Sequence, residues 1–378
     1  MNPYKRIREV SFIFLVKFLS YFIKPNKNNI AFSSNGGNKV DGNPFYFLQY
    51  YKKNKPSKNY YWITKDDRDY NVLKGSMNII YMYSWEGIIK TLTAGLFILS
   101  SYDAIFYSIC NKNRQIIQTW HGIGVKNTGD NLNDGVKKSL KEKIMDYLKK
   151  ISKQEYVNIL VTSDSLKKNF EIGYPRSKVY VTGYPRFDYL LNSENEFFKN
   201  GFNRTILFAP TWRIEGDFEL ISKRGLDRIN SELKSRNEVL YIKYHPKMKR
   251  VFDLIDYTNI RDMTDCNMGC EDILLKSDVL ITDYSSILFD YMLLDKDYII
   301  YCPDYDDYIK TEGTYYEYSE KNFYPFTRNE KELIAYLFDI EPDKDLWKKM
   351  HEKNKNFFNK YLDGKSSERI YELIEKIM

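Results

Sequence analysis

The sequence predicts an α/β protein built on parallel sheets, and three observations carry the prediction. Short apolar, partly β-branched runs recur along the chain; each ends in a polar or glycine-containing turn; and after each turn a helical pattern resumes. Strands covered by helices on both faces need no polar alternation, so they read as near-continuous runs of Val, Ile and Leu. At 378 residues, 43% of them hydrophobic, the chain is long enough for two domains with a core each.

In order, the chain opens with a basic start followed by a largely apolar run over residues 10–23, interrupted by Lys17. That run is too short to span a bilayer and lacks a small-residue cleavage site after it, so a retained segment is expected. A helix rich in Phe and Leu, with Lys5, Arg6, Arg8, Lys17 and Lys24 around it, suits the interface of an anionic membrane; the alternative is a helix docked on the domain. Strands are then expected in "NNIAFSSNGG" (28–37), "YYWIT" (60–64), "NIIYMY" (78–83), "QIIQTWHG" (115–122), "NILVTSD" (158–164) and "KVYVTGYPR" (178–186). Residues 137–153 read as a solvated amphipathic helix. A polar stretch over 192–204 is the linker. Beyond it, "TILFAPTWR" (205–213), "EVLYIKYHP" (238–246), "DVLITDYSS" (278–286) and "DYIIYCPD" (297–304) give the strands of a second domain. The expected boundaries are an N-terminal segment 1–27, domains 28–191 and 205–345, and a C-terminal helical segment 346–378.

The balance of 58 Lys+Arg against 51 Asp+Glu, a net +7, suits an anionic ligand or membrane surface. A nucleic-acid binder would cluster its basic and aromatic residues on one face, whereas Lys and Tyr are spread along this chain. Cys110, Cys266, Cys270 and Cys302 form no C-x-x-C pair, and Cys266 with Cys270 lacks the partners of a zinc site. Four free thiols are expected.

Ligands of open α/β sheets bind beyond the carboxyl ends of the strands, which makes His121, Arg186, Thr211 with Arg213, His245, Ser285 and Ser286 the candidates. Two of the chain's three histidines occupy such ends, one in each half. After the strand 279–282, Asp283, Ser285, Ser286 and Asp290 form a polar cluster at the start of a helix. Such a cluster suits an anion; equally, Ser285 or Ser286 caps the helix and Asp290 complements its dipole. "WHGIGVKNTG" has Asn127 where a dinucleotide fold places its third glycine, which argues against NAD, though its backbone N–H groups can still approach a phosphate. Asp304 and Asp306 resemble the metal-binding D-x-D of one glycosyltransferase class, but they stand late in the chain for that role. No metal site is therefore expected and no cofactor is required, with a divalent metal left open.

Taken together, "DGNPFYFLQYY" (41–51), "QTWHGIGVKNTG", "VTGYPRFD", "ILFAPTWR", "IKYHPK", "SDVLITDYSSILFDYMLLDKDYIIY" and "EGTYYEY" (312–318) resemble, in order, the CDP-glycerol glycerophosphotransferase family of teichoic acid biosynthesis. The resemblance implies two Rossmann-like domains facing a cleft, the GT-B arrangement, with the acceptor on the first domain and CDP-glycerol on the second. It implies transfer of glycerol phosphate to a hydroxyl of a polyprenyl diphosphate-linked glycan, with release of CMP, at the cytoplasmic face of the membrane. It gives His121 the role of general base and His245 that of a donor to a phosphate oxygen. Arg186, Ser285 and Ser286 fall on the pyrophosphate, Asp290 accepts from the ligand, and Thr211, Trp212, Lys243 and Tyr244 line the pocket with the loop Gly122, Ile123, Gly124 and Val125. The chain departs from the family in having Ile123 and Gly124 where Thr-Pro is common and Phe187 where Asn is frequent, which touches the acceptor side. Its length favours a primase-like member. Transfer of ribitol phosphate, a capsule product, and a non-catalytic sensor of the nucleotide are the other readings.

Overall fold

A computed structural model describes residues 3–54, 58–125, 154–193, 201–212, 220–245, 248, 252, 254–266, 268–312 and 315–378. The chain divides into two compact units, the first of Met1–His121, Thr128–Tyr189 and Lys360–Met378, the second of Gly122–Asn127 and Leu190–Asn359. Residues 137–153, expected as an amphipathic helix, lie outside the described residues, as do 194–200 of the linker and Arg213.

The first unit holds a seven-stranded sheet of β1 (Asn26–Ser33), β2 (Asn59–Thr64), β3 (Ile79–Tyr81), β4 (Ala94–Leu99), β5 (Gln115–Gln118), β6 (Val157–Val161) and β7 (Lys178–Val181). Their order is β3-β2-β1-β4-β5-β6-β7 and every pairing is parallel. This is the doubly wound Rossmann order, which reverses between β1 and β4. One face packs Ile30, Phe32, Trp62, Leu96 and Ile98 against Phe47, Leu48 and Tyr51 of the helix Gly42–Asn54.

The second unit repeats the plan with β8 (Arg204–Ala209), β9 (Glu238–Ile242), β10 (Ile260–Asp262), β11 (Val279–Thr282), β12 (Asp297–Tyr301) and β13 (Phe326–Thr327) in the order β10-β9-β8-β11-β12-β13, again all parallel. Here the reversal falls between β8 and β11. The two Rossmann-like units expected from the sequence, the content of a GT-B fold, are thus present.

Three strands escape the sequence reading: β4, β10 and β13. β4 follows the helix Trp85–Thr93 with no turn between them. All six of its residues are buried, so it merges with the helix into one apolar run that periodicity cannot divide. The C-terminal segment is also not one body. Helix Lys344–Phe358 belongs to the second unit, whereas Ser366–Ile377 buries Ile370 and Ile374 in the core of the first. The reason is a clamp: both carboxylate oxygens of Asp188 accept from the backbone N–H groups of Ser366 and Ser367 at 2.7 Å, satisfying donors that a helix start leaves open. Gly183, at φ 82, lies so close to Ser366 that a side chain would collide with it.

The N-terminal helix Pro3–Leu19 docks on the first unit through Phe12, Ile13 and Val16, all buried. Burial of three such side chains stabilises by about 1.5–3 kcal/mol each. The buried Arg114 guanidinium holds the segment after this helix, donating to the carbonyls of Ser20, Ile23 and Leu92. Phe14, Leu15 and Phe18 remain exposed on the opposite side of the same helix, followed by exposed Tyr21 and Phe22. No helix among the described residues is long and apolar enough to cross a membrane.

Candidate active site

In the first unit the candidate residues collect where the strand order reverses. Ser34 follows β1 and Ser100 follows β4, and their hydroxyls lie 3.0 Å apart. Because the Ser34 hydroxyl donates to Asp41 at 2.6 Å, the Ser100 hydroxyl is the donor between the two. The N–H groups of Asn35 and Gly36 donate to Ser100 Oγ at 3.0 Å and Ser101 Oγ at 2.8 Å. Into this junction the loop after β5 brings His121, with Nδ1 3.3 Å from the Ser100 carbonyl oxygen. A carbonyl only accepts, so Nδ1 carries the proton and the neutral ring keeps its lone pair on Nε2. That is the tautomer a general base needs.

Burial and neighbours bias the same ring toward neutrality. Protein atoms crowding it disfavour the charged form; the Ser100 carbonyl opposes this and the Arg186 guanidinium reinforces it, so its pKa lies below the ordinary histidine value. The residue as a whole is nonetheless exposed at the surface. Trp120 stacks on it, with ring centroids 5.3 Å apart at 20°, and is itself met edge-on by Phe170 and Tyr174. Arg186, only 6% exposed and within the helix Pro185–Asn192, donates from Nη1 to the His121 carbonyl at 3.0 Å. Expected at the pyrophosphate, it holds the backbone of the histidine loop.

In the second unit the reversal point is again the gathering place. Asp283, at the end of β11 and 1% exposed, accepts from the Thr211 N–H at 2.8 and 3.1 Å and from the Thr211 hydroxyl at 2.5 Å. Thr211 leaves the end of β8, so this one carboxylate joins the two central strand ends. The Tyr318 hydroxyl donates to the Asp283 carbonyl and fixes it from the other side. Half-buried Ser285 and Ser286 come next, with Trp212 half-buried beside Thr211 in sequence. On the far side of β8, β9 delivers Lys243, Tyr244 and His245: Lys243 N–H donates to the Phe208 carbonyl at 2.9 Å, Tyr244 N–H to Thr264 Oγ1 at 3.0 Å, and the exposed His245 accepts at its carbonyl from Met248 at 2.8 Å.

Several expectations need correction in detail. The helix after β11 is only Ile287–Tyr291, continued by a 3-10 turn, and Ser286 makes no capping hydrogen bond. Ser285 Oγ accepts from Ile287 N–H at 3.4 Å, too long for a strong cap. Asp290 is 5% exposed and belongs to the packed side of that helix. Ile123 and Val125 are buried, so their side chains offer no surface to a ligand; Gly122 is buried too, and Gly124 is half-buried with open space where a side chain would stand. Val125 presents its carbonyl to Tyr315 N–H at 3.0 Å. Of the acidic pair, Asp304 accepts from the Tyr284 hydroxyl at 3.3 Å while exposed Asp306 lies 3.7 Å from Arg328. Among the described residues no group of three His, Cys, Asp or Glu side chains is placed to hold a metal. The described cavity of about 500 Å³ lined by Lys52, Lys58 and Lys90 opens at the amino ends of β2 and β3, away from these strand ends.

The family model described as CDP-Glycerol:Poly(glycerophosphate) glycerophosphotransferase matches residues 15–376. The chain belongs to that family. A teichoic acid poly(ribitol-phosphate) polymerase of Bacillus spizizenii is 28% identical over 381 residues, covering 93% of this chain and 56% of the relative. A teichoic acid glycerol-phosphate transferase of Staphylococcus aureus is 26% identical over 410 residues, covering 99% of both. This glycerophosphotransferase-family chain spans about half the length of the Bacillus spizizenii polymerase and of a Staphylococcus epidermidis poly(glycerol phosphate) polymerase it also matches. Among solved structures, the wall teichoic acid polymerase TagF superposes with a TM-score of 0.77 at 25% identity, covering 98% of this chain and 96% of that one. A TagF variant soaked with CDPG gives 0.78 at 25% identity.

Strand-end reasoning from sequence finds both histidines but not their supports. Ser100 escapes it because β4 does. Asp283 reads only as part of a polar cluster, although an acid directly after a buried strand, one step from two serines, is the signal that a strand end is being tied.

Proposed function

We propose that this chain transfers glycerol phosphate from CDP-glycerol to a hydroxyl of a polyprenyl diphosphate-linked glycan or teichoic acid acceptor, releasing CMP. The observation that carries the reading is His121 at the reversal point of the first sheet, with Nδ1 protonated toward the Ser100 carbonyl and the lone pair therefore on Nε2. In the reaction Nε2 takes the proton of the acceptor hydroxyl as its oxygen attacks the glycerol-bearing phosphorus. A new P–O bond forms, the bond to the CMP oxygen breaks, and CMP leaves with that electron pair. His245 and the Ser285 and Ser286 hydroxyls, all at strand ends of the second unit, donate to the phosphate oxygens as charge passes to the leaving group. Lys243, Thr211 and Trp212 flank the same strand ends. Phosphoryl transfer leaves little covalent work to the protein, so positioning and charge neutralisation carry the catalysis.

The acceptor's lipid places the enzyme at the cytoplasmic face of the membrane, and the N-terminal helix supplies the means. Its docked face, with Lys17 donating to the Ser108 carbonyl, holds it to the first unit while Phe14, Leu15 and Phe18 are exposed, as is Phe22 just beyond the helix, with Lys24 and Arg8 nearby in sequence. Aromatic and aliphatic side chains among cations are what an anionic bilayer interface accepts. Docked helix and membrane helix, alternatives in the sequence, are compatible on opposite faces.

Ribitol phosphate is the second reading for the donor, since a poly(ribitol-phosphate) polymerase and a poly(glycerol phosphate) polymerase are each 28% identical to this chain over 381 residues. Incubating the protein with CDP-glycerol or CDP-ribitol and a lipid-linked disaccharide, and weighing the products, tests both. A glycerol phosphate adduct with stoichiometric CMP is expected. A ribitol phosphate adduct alone replaces the donor, and no adduct with either overturns the assignment as a transferase.

A further inference from the structure

The motif "DGNPF" carries a residue to which no role has been given. Asn43, near the start of the helix Gly42–Asn54, has no surface exposure at all. Its Nδ2 donates to the Thr119 and Trp120 carbonyls, each at 3.0 Å, and its Oδ1 accepts from the Arg186 N–H at 3.4 Å. A single buried amide therefore reaches the chain on both sides of the catalytic loop: the two residues before His121 and the arginine whose guanidinium donates to the His121 carbonyl.

The loop needs such support. Trp120 adopts φ 57, the left-handed region, where a bulky residue persists only when its surroundings over-determine it. That turn is what carries the chain past the end of β5 and lays the Trp120 ring on the imidazole. Both N–H groups of the Asn43 amide are used on carbonyls that the turn has taken out of the sheet, and an amide is the side chain of this size that donates twice and accepts at once.

We propose that Asn43 is a positioning residue for His121: through its two 3.0 Å bonds it fixes the left-handed Trp120 turn, and so sets the imidazole against Ser100 in the Nδ1-protonated form. Its effect on turnover rests on His121 being the base, but its effect on the ring does not. The chain has only three histidines, so ring titrations are read directly by NMR on the full chain with labelled histidine.

In Asn43→Ala the loop loosens, the crowding that holds the His121 pKa low is relieved, and its titration midpoint rises toward that of an ordinary histidine while His245 and His351 stay in place. Turnover with CDP-glycerol falls about 10-fold or more, the acidic limb of its pH profile moves up with the His121 midpoint, and KM for CDP-glycerol changes less than about twofold. Asn43→Leu, of similar size and uncharged, removes both donors without adding a charge that would itself raise the His121 midpoint; it gives the same displacement of His121, and serves alone if Asn43→Ala does not fold. An unmoved His121 midpoint in a folded variant overturns the proposal. A moved midpoint with unchanged turnover keeps Asn43 as a positioning residue and instead removes His121 from the chemistry.

Discussion

Replacing Asp283 by Asn tests whether one carboxylate ties the ends of β8 and β11 into a donor-binding junction. The side chain is 1% exposed and receives both the N–H and the hydroxyl of Thr211. Hydrogen bonds to a charged group contribute about 1.5–3 kcal/mol each. Both donors reach Oδ1, which asparagine can keep as its amide oxygen, but the charge that strengthens them is lost and an NH₂ faces the Thr211 N–H where Oδ2 stood, so the expected loss is about 1.5–3 kcal/mol. Part of this appears as lower stability in urea. The part that stays local weakens CDP-glycerol binding by roughly 10-fold for every 1.4 kcal/mol. Thr211→Val removes the hydroxyl and keeps the shape, so a double-mutant cycle with Asp283→Asn isolates the contact, with an expected coupling of about 0.5–3 kcal/mol. Urea unfolding and calorimetric titration of CDP-glycerol read the two parts. Additive single effects, or a variant whose unfolding midpoint and Kd both match the wild type, would refute the idea that Asp283 acts through Thr211.

Two further outcomes concern the first unit. His121→Ala should cut turnover by about 10²-fold or more. In the free enzyme the depressed pKa fixes the sign of the pH response: neutral His121 predominates at pH 7, and kcat/KM falls only as pH drops through a value below the ordinary 6.5. A profile in which the essential base titrates above 6.5 would exclude this histidine. On the outer face of the N-terminal helix, Phe14→Ser with Phe18→Ser leaves thermal stability nearly unchanged, since both side chains are exposed, yet reduces cosedimentation with anionic vesicles several-fold. Undiminished vesicle binding would place the membrane contact on another surface.

Much of the architecture is legible in the sequence because parallel strands covered on both faces write themselves as short apolar runs. Both histidines, Thr211 and the serine pair stand directly after such runs, and that position alone marks them. The rule fails where a run has no punctuation, as at β4, and with β4 goes Ser100, the partner that sets the His121 tautomer. It fails in another way at Arg186 and Asp188. The structural contacts of both are made to chain segments remote in sequence: the His121 carbonyl for Arg186 and the N–H groups of Ser366 and Ser367 for Asp188. Burial of Ile123 and Val125 is equally invisible, since a loop between glycines carries no periodicity from which to read an inward face.

The Asp188 clamp bears on the order in which the two units mature. Residues 360–378 are synthesised after the whole of the second unit, yet Ile370 and Ile374 belong to the core of the first. While a ribosome is still translating, residues 190–359 have every segment of their own unit except the Gly122–Asn127 loop, which was made earlier and is already at hand. The first unit, although begun first, must wait with Phe47 and Tyr51 uncovered on one side until the last helix arrives and Asp188 receives its two N–H groups. The unit that carries His121 is therefore the last to have all of its segments, and a chain interrupted before residue 366 lacks the helix that completes the core of that unit.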